Sequence, residues 1–250
     1  MYALLTRFND DTPLIGQTVE HVESRGKWVL MGFSGGATLA THMLMNGSWH
    51  IYRPGERWQR PRSEMRILLE TADFVAVGFL VPVAKMLKPR ELERAFRIPD
   101  HSIDILNADF DEAAAIGRIR ARADEEIGNV LLHQGVTAGV GNVFKSEICF
   151  VTGTNPFCLV RDLDEARFAL MVSTARQLVK ANVLEDSGNL IVTYGGKKRR
   201  TTGAADPGEN LWVYARAGEP CRRCGTKIER RLQGMGARST YWCPHCQPFV

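Results

Sequence analysis

Four cysteines near the end of the chain constrain it more than any other feature of the sequence. Cys221-Arg-Arg-Cys224 is separated by eighteen residues from Cys243-Pro-His-Cys246. Two knuckles at this separation can bring four thiolates to the corners of a tetrahedron, the geometry that zinc accepts. Between them Thr226–Leu232 and Ser239–Trp242 are β-prone runs joined by Gln-Gly-Met-Gly, which predicts a hairpin whose open end the metal closes. A pair of disulfides would use the same four residues. The ribbon spacing, with no secretory signal pattern ahead of it, favours one zinc per chain, held by Cys221, Cys224, Cys243 and Cys246. Four thiolates leave no open coordination position, so the metal is expected to be structural and His245 a bystander.

Charge says what such a ribbon could present. From Lys197 to Val250 there are eleven Lys/Arg and four Asp/Glu, whereas the whole chain is only +4. The preceding part is therefore acidic, and the basic groups gather in Lys197-Lys198-Arg199-Arg200, Arg222-Arg223, Arg230-Arg231 and Arg238. A basic patch on a small metal-stapled module suits a phosphate backbone, although an ordinary solvated surface can carry the same charge.

An apolar content of 44% beside 24% charged residues is that of a globular domain,. No apolar run approaches the length of a membrane span. Cys149 and Cys158 sit in apolar surroundings and are expected to be buried free thiols of a reducing compartment.

The first hundred residues predict β-structure: Gln17–Glu23, Trp28–Phe33, Ala37–Leu44, Met65–Thr71 and Phe74–Leu80 are short runs divided by Gly, Asn, Pro or Asp. That spacing favours a sandwich or barrel-like sheet pair. Lys27 stands in a basic turn, and His42-Met43-Leu44-Met45-Asn46-Gly47 sets large flexible side chains just before a turn glycine. A loop tip of that kind belongs to a core or wedges between bases. Arg53, Arg57, Arg60 and Arg62 follow in a Pro-interrupted loop, near phosphates or simply solvated. Pro82–Pro99 reads as a short helix and a connector.

Beyond Asp109 the period becomes helical. Ile116, Ile119, Ala123, Ile127 and Leu131 step by three or four along one expected helix face. A glycine-rich double turn, Gln134 to Asn142, leads into a second helix over Val143–Val151, whose N-terminus offers free N–H groups to an anion. Asn142 could add its side chain to that grip. A third helix is expected from Asp162–Glu165 onward, with Leu163, Ala166, Leu170 and Leu178 on one face. Residues 186–209 read as a polar, mobile loop.

Taken together, these residues resemble a known family. Gly-Val-Thr-Ala-Gly-Val-Gly-Asn-Val-Phe-Lys-Ser-Glu (135–147) resembles the helix–two-turns–helix signature of the formamidopyrimidine-DNA glycosylase and endonuclease VIII family, closer to the endonuclease VIII branch. The tail is similar to its zinc finger, with Trp212-Val-Tyr-Ala-Arg216 ahead of the first knuckle and Tyr-Trp-Cys-Pro-His-Cys-Gln closing the second. Ser-Arg-Gly-Lys (24–27) and His42–Gly47 resemble its strand-entry lysine and void-filling loop. The resemblance implies that Lys27 is a catalytic-site lysine contacting the lesion phosphate, and that Asn142 and Arg238 bind DNA phosphates. It places Leu44, Met45 and Asn46 where the duplex is left with a hole. A base must leave the stack to be excised, which requires clamped phosphates and a filled void.

Members of that family begin, after methionine removal, with Pro-Glu at the head of a helix, the proline amine attacking C1′. Here the sequence opens Met-Tyr-Ala-Leu-Leu. Two expectations follow: a shortened or mis-started reading of a normal enzyme, or a catalytically silent paralogue that binds damaged DNA. On either, the 250-residue chain is expected to bind abasic DNA and to cleave it weakly or not at all.

The expected fold class is α+β: an N-terminal β-sandwich over 1–105, a helical helix–two-turns–helix domain over 106–205 and a zinc ribbon over 206–250, with duplex DNA in the cleft between. The implied function is base-excision repair, as a DNA glycosylase with AP-lyase activity on oxidised bases. The implied partner is double-stranded DNA with damaged bases or abasic sites, met by a monomer in a bacterial-type cytoplasm, at the nucleoid and away from membranes.

Overall fold

A computed structural model describes residues 14–25, 27–44, 46–91, 102, 104–184, 193 and 210–249. The chain divides into two compact units, Met1–Ile98 and Pro99–Val250. Residues 1–13, Met45 and nearly all of the expected 186–209 loop, including Lys197–Arg200, lie outside the described residues.

The first unit is a pair of antiparallel sheets. β1 (Val19–Arg25), β2 (Trp28–Phe33), β3 (Thr38–His42) and β7 (Val83–Leu87) form one, in the order β1-β2-β3-β7. β4 (Ser48–Tyr52), β5 (Met65–Glu70) and β6 (Val75–Phe79) form the other, in the order β4-β6-β5. Alternation along β2 sends Met31 to the face it shares with Phe33 and Leu39, where Ile67 and Trp49 of the second sheet meet them. Leu30, on the opposite face of β2, packs with Ala40 and Leu87. With both of its faces covered, β2 reads as a continuous apolar run.

Two strands were not expected. Pro82–Pro99 was read as helix and connector, yet Val83–Leu87 is a strand paired with β3 from Thr38↔Leu87 to His42↔Val83. Its lysine and short length hide a period of two, with Ala84 and Met86 packed against the shared core. β4 is likewise short, and its His50 and Ser48 mask the inward Trp49.

The second unit joins helices to the ribbon. α1 (Glu112–Arg120) is capped by Asp111, whose side chain accepts from Ala114 N at 2.9 Å. The single helix expected to run on through Ala123 to Leu131 does not form. The helix stops at Ala121, and the backbone of 123–127 finds partners elsewhere: Arg161 N donates to Ala123 O, Val160 N to Glu125 O, and Ile127 N to Cys158 O. A short α2 (Ile127–Val130) follows. α3 (Asn142–Val151) and α4 (Glu165–Leu184) complete the helices, α4 starting where Asp164 accepts from Arg167 N at 2.7 Å.

The buried face of α4 also differs from expectation. Leu163 and Leu178 pack against the core as expected, but Leu170 is 48% exposed and Ala166 is at the surface, and Phe168, Met171, Val172, Ala175 and Val179 are the buried residues. The helix offers two apolar stripes, and the one carrying Phe168 and Met171 wins because it buries more area,. These residues meet Ile119, Ile127, Leu131 and Ile148 in one core. β8 (Glu229–Gln233) and β9 (Arg238–Trp242) make the expected hairpin.

Candidate functional site

The ribbon is built from its cysteines outward. The four Sγ atoms lie within 4.8 Å of one another, and the close pairs cross between knuckles: Cys221–Cys246 at 4.0 Å and Cys224–Cys243 at 3.5 Å. A disulfide needs about 2.05 Å, so these are four free thiols. Bonds of about 2.3 Å to a tetrahedral zinc put the sulfurs about 3.8 Å apart, which this set fits. Thr226 hydrogen bonds bring Cys224 down to about 6, while burial, then the neighbouring thiols, push Cys246 up. Four sulfurs so close ionise together only around a cation. The set holds one structural zinc, and exposed His245 stays outside it.

The double turn is stapled by a side chain. Gln134 donates from Nε2 to Val140 O at 3.0 Å and accepts from Gly139 N at 3.2 Å. Gly139 has φ +102, a backbone state that resists a side chain,. The chain then enters α3 with Gly141 as its N-cap and no side-chain cap, leaving first-turn N–H groups available to an anion,. Asn142 is the first residue of α3. Its Nδ2 donates to Ser239 O at 2.8 Å, and its Oδ1 is buried with no hydrogen-bond partner among the described residues. Exposed Arg238 is the neighbour of Ser239, so Asn142 and Arg238, 96 positions apart, are brought together.

In the first unit, Lys27 and the 43–47 loop share one end of the four-stranded sheet, because Trp28 pairs with His42. His42 lies edge-on to Trp28 at 5.0 Å and accepts at Nδ1 from Leu44 N at 3.2 Å. Burial, then the charge of Lys27, hold the His42 ring below its usual pKa. It is therefore suited to act as a neutral acceptor that shapes the turn. Leu44 has φ +47 and is 64% exposed, and Asn46 is also exposed. A large apolar side chain held in water by a strained turn lacks any core role.

Comparison with known proteins agrees with this geometry. Residues 5–80 match the Formamidopyrimidine-DNA glycosylase N-terminal domain, 102–193 its H2TH domain, and 218–248 the zinc finger found in FPG and IleRS. The chain is 40% identical over 237 residues to "Probable endonuclease 8 2" of Streptomyces coelicolor, covering 94% of this chain and 80% of that protein. This chain belongs to the formamidopyrimidine-DNA glycosylase and endonuclease VIII family. It is also 37% identical to "DNA-(apurinic or apyrimidinic site) lyase Nei2" of Mycolicibacterium smegmatis, over 94% of this chain and 84% of that protein. Its fold is that of Lactococcus lactis formamido-pyrimidine DNA glycosylase, solved non-covalently bound to DNA containing an AP site. The TM-score is 0.71 at 22% identity, covering 93% of this chain and 82% of that one.

Within this family architecture, the residues that seat the ribbon on the helices escaped the sequence reading. Glu147, fully buried on α3, accepts Val213 N and Tyr214 N at Oε1 (3.0 and 2.9 Å) and Trp212 N at Oε2 (2.8 Å). Lys145, fully buried two residues earlier, reaches Thr240 Oγ1 at 2.5 Å, and Thr240 donates on to Gln233 Oε1 at 2.8 Å. Gln233 Nε2 donates to Glu126 Oε2 and Pro156 O. At the second knuckle Gln247 accepts from Cys243 N and donates to Thr154 O. The available signal was the run Lys-Ser-Glu inside an otherwise apolar helix, since charges there must be paired.

Proposed function

We propose that this chain acts in base-excision repair as a DNA glycosylase with AP-lyase activity, removing oxidised bases from duplex DNA. The observation that carries the reading is the meeting of Asn142, at an uncapped helix N-terminus, with the ribbon strand that bears Arg238. That hydrogen bond sets the helix N-terminus one residue from Arg238, and donors on two adjoining elements suit a clamp on a phosphodiester,. The names of the relatives, endonuclease 8 and DNA-(apurinic or apyrimidinic site) lyase, support the same reaction class.

In this reading Asn142 and Arg238 hold phosphates, keeping the damaged nucleotide out of the stack. Nδ2 of Asn142 carries two protons, and only one is taken by Ser239. Lys27 contributes a compact positive charge to the lesion phosphate. Leu44, Met45 and Asn46 fill the space that the flipped base leaves, with Leu44 as the apolar wedge. Zinc supplies no chemistry to the reaction; it fixes the hairpin so that Arg238 is presented rigidly. The protein works as a monomer on nucleoid DNA in the cytoplasm, and among the described residues no helix is long and apolar enough to cross a membrane.

The test uses a duplex carrying one oxidised pyrimidine and a matched abasic duplex. Binding of the abasic duplex, with slow strand scission and a borohydride-trapped covalent complex, is the expected result. Tight binding without scission would make the chain a damage-binding protein instead. Equal affinity for damaged and undamaged duplex, with no scission, would sink both readings.

A further inference from the structure

The N-terminal unit carries a basic stretch that the proposed reaction does not use. From Arg53 to Arg66 there are five arginines and two glutamates. The stretch is a built surface. Leaving β4 at Tyr52, it crosses the outer face of the three-stranded sheet and rejoins it at Met65, which pairs with Phe79, itself opposite Ser48. Trp58 pins the crossing, edge-on to Phe79 at 5.7 Å and stacked on Tyr52 at 6.3 Å. Gln59 N donates to the Tyr52 hydroxyl at 3.0 Å, and Arg60 Nε to Glu64 Oε2 at 2.6 Å.

With Arg60 tied to Glu64 and Arg66 to the carbonyls of Ser63 and Met65, the other three face outward. The Arg53 guanidinium lies over Phe74 at 4.6 Å, and that of Arg62 over Trp58 at 5.1 Å. A guanidinium stacked by its face keeps its in-plane N–H fork available for an oxyanion. Exposed Arg57 stands between them on the rim of a depression of about 470 Å³. The row crosses the three-stranded sheet from its Tyr52–Val75 end to its Ser48–Phe79–Met65 end, over a strand length of about 17 Å,. One DNA strand advances about 3.4 Å along the helix axis per nucleotide, so a row of that length lying along the axis spans about five nucleotides.

We infer that Arg53, Arg57 and Arg62 form a second phosphate-binding track, which grips the backbone of the duplex beside the lesion. This rests on the reading that damaged duplex DNA is the substrate. The occupant is DNA and not an acidic protein because the Ser48 end of the row runs back through Gly47 and Asn46 to Leu44. Track and wedge therefore share one edge of the unit. The track would lengthen the footprint on one flank only.

The experiment measures binding of wild type and Arg57→Ala/Arg62→Ala against salt. It uses an abasic duplex with about ten base pairs on each side and two duplexes cut to about three on one side or the other. On the full duplex the variant should bind about tenfold more weakly near 0.1 M salt, with the salt slope reduced by about two units. On the duplex lacking the contacted flank, wild type and variant should be indistinguishable. Where loss of Arg62 disturbs Trp58, seen as a change in its fluorescence, Arg57→Glu provides the same comparison without touching a packed ring. Identical slopes on all three duplexes, or equal losses on both cut duplexes, would overturn the inference. So would a variant that differs only in binding an Asp/Glu-rich peptide, which would assign the surface to a protein. Failure of wild type to bind any duplex would instead remove the repair reading on which the inference rests.

Discussion

Asn142 donates from Nδ2 to the carbonyl oxygen of Ser239 at 2.8 Å, tying the first residue of α3 to the strand that begins with Arg238. Ribbon docking and the phosphate contact proposed for Asn142 thus meet in one side chain. Alanine at either Asn142 or Arg238 should weaken binding to lesion-bearing and undamaged duplex alike, by about 1–3 kcal/mol. Arg238→Ala should also lower the salt slope by about one unit. The two differ in stability: Asn142→Ala loses a fastening and should lower the melting temperature of the C-terminal unit, whereas exposed Arg238 should not. Titrations by fluorescence anisotropy beside thermal melts separate these roles. An unchanged slope for Arg238→Ala would take it out of the interface.

The metal prediction follows from the seating of the second knuckle. Cys243 is both a ligand and, through its N–H, a donor to Gln247 Oε1 at 2.9 Å, and Gln247 in turn donates to Thr154. Cys243→Ser should lose zinc and most DNA binding while leaving the N-terminal sheets folded. Elemental analysis of reduced protein and far-UV dichroism check this. Protein purified without oxidation and found free of zinc in the wild type would end the idea.

Much of this was legible in the sequence because the signals were local. The cysteine spacing, the hairpin between the knuckles and the glycine-rich turn each depend on residues within about twenty positions of one another. What stayed hidden depends on distant partners. Val83–Leu87 is a strand because β3 has an open edge, and no feature within 83–87 announces that. The break after Ala121 exists because 158–161 supplies hydrogen bonds that the helix would otherwise make. Lys145 and Glu147 lay in plain view, but their partners, Thr240 and the Trp212–Tyr214 backbone, are more than sixty residues away. The roles proposed for Lys27, Leu44 and Asn46 rest on motif resemblance, with the turn geometry of Leu44 visible only in the structure.

Glu147 tests how far the ribbon depends on one carboxylate. It accepts three backbone N–H groups and, at Oε2, the Thr193 hydroxyl. A carboxylate is an acceptor only, whereas a glutamine must turn an NH2 toward some of those donors. Glu147→Gln should destabilise the C-terminal unit by about 2–4 kcal/mol despite its nearly identical shape. Denaturant unfolding would measure it. A change within experimental error would show that the donors find other acceptors.

Lys145 carries the last prediction. Burial, opposed by Cys149 and reinforced by Arg238, lowers its pKa to about 8 from an ordinary 10.5. The ammonium is therefore the costly form inside the helix–hairpin interface, although Thr240 Oγ1 accepts from it at 2.5 Å. Below pH 8 the lysine is protonated in both folded and unfolded chains, and the full penalty is present. Between pH 8 and 10.5 the folded protein sheds the proton while the unfolded chain keeps it. Stability contributed at this site must then rise with pH, by up to about 3 kcal/mol across the window. Other groups titrate in the same range, so the quantity to read is the difference from Lys145→Met, which fills the space without a charge. That variant should be the more stable at pH 7, with its advantage shrinking steadily toward pH 10. DNA binding is expected to move with it only through the placement of Arg238, and so by less than the stability does. Parallel stability curves for the two proteins from pH 7 to 10 would show that Lys145 has an ordinary pKa and that water reaches it.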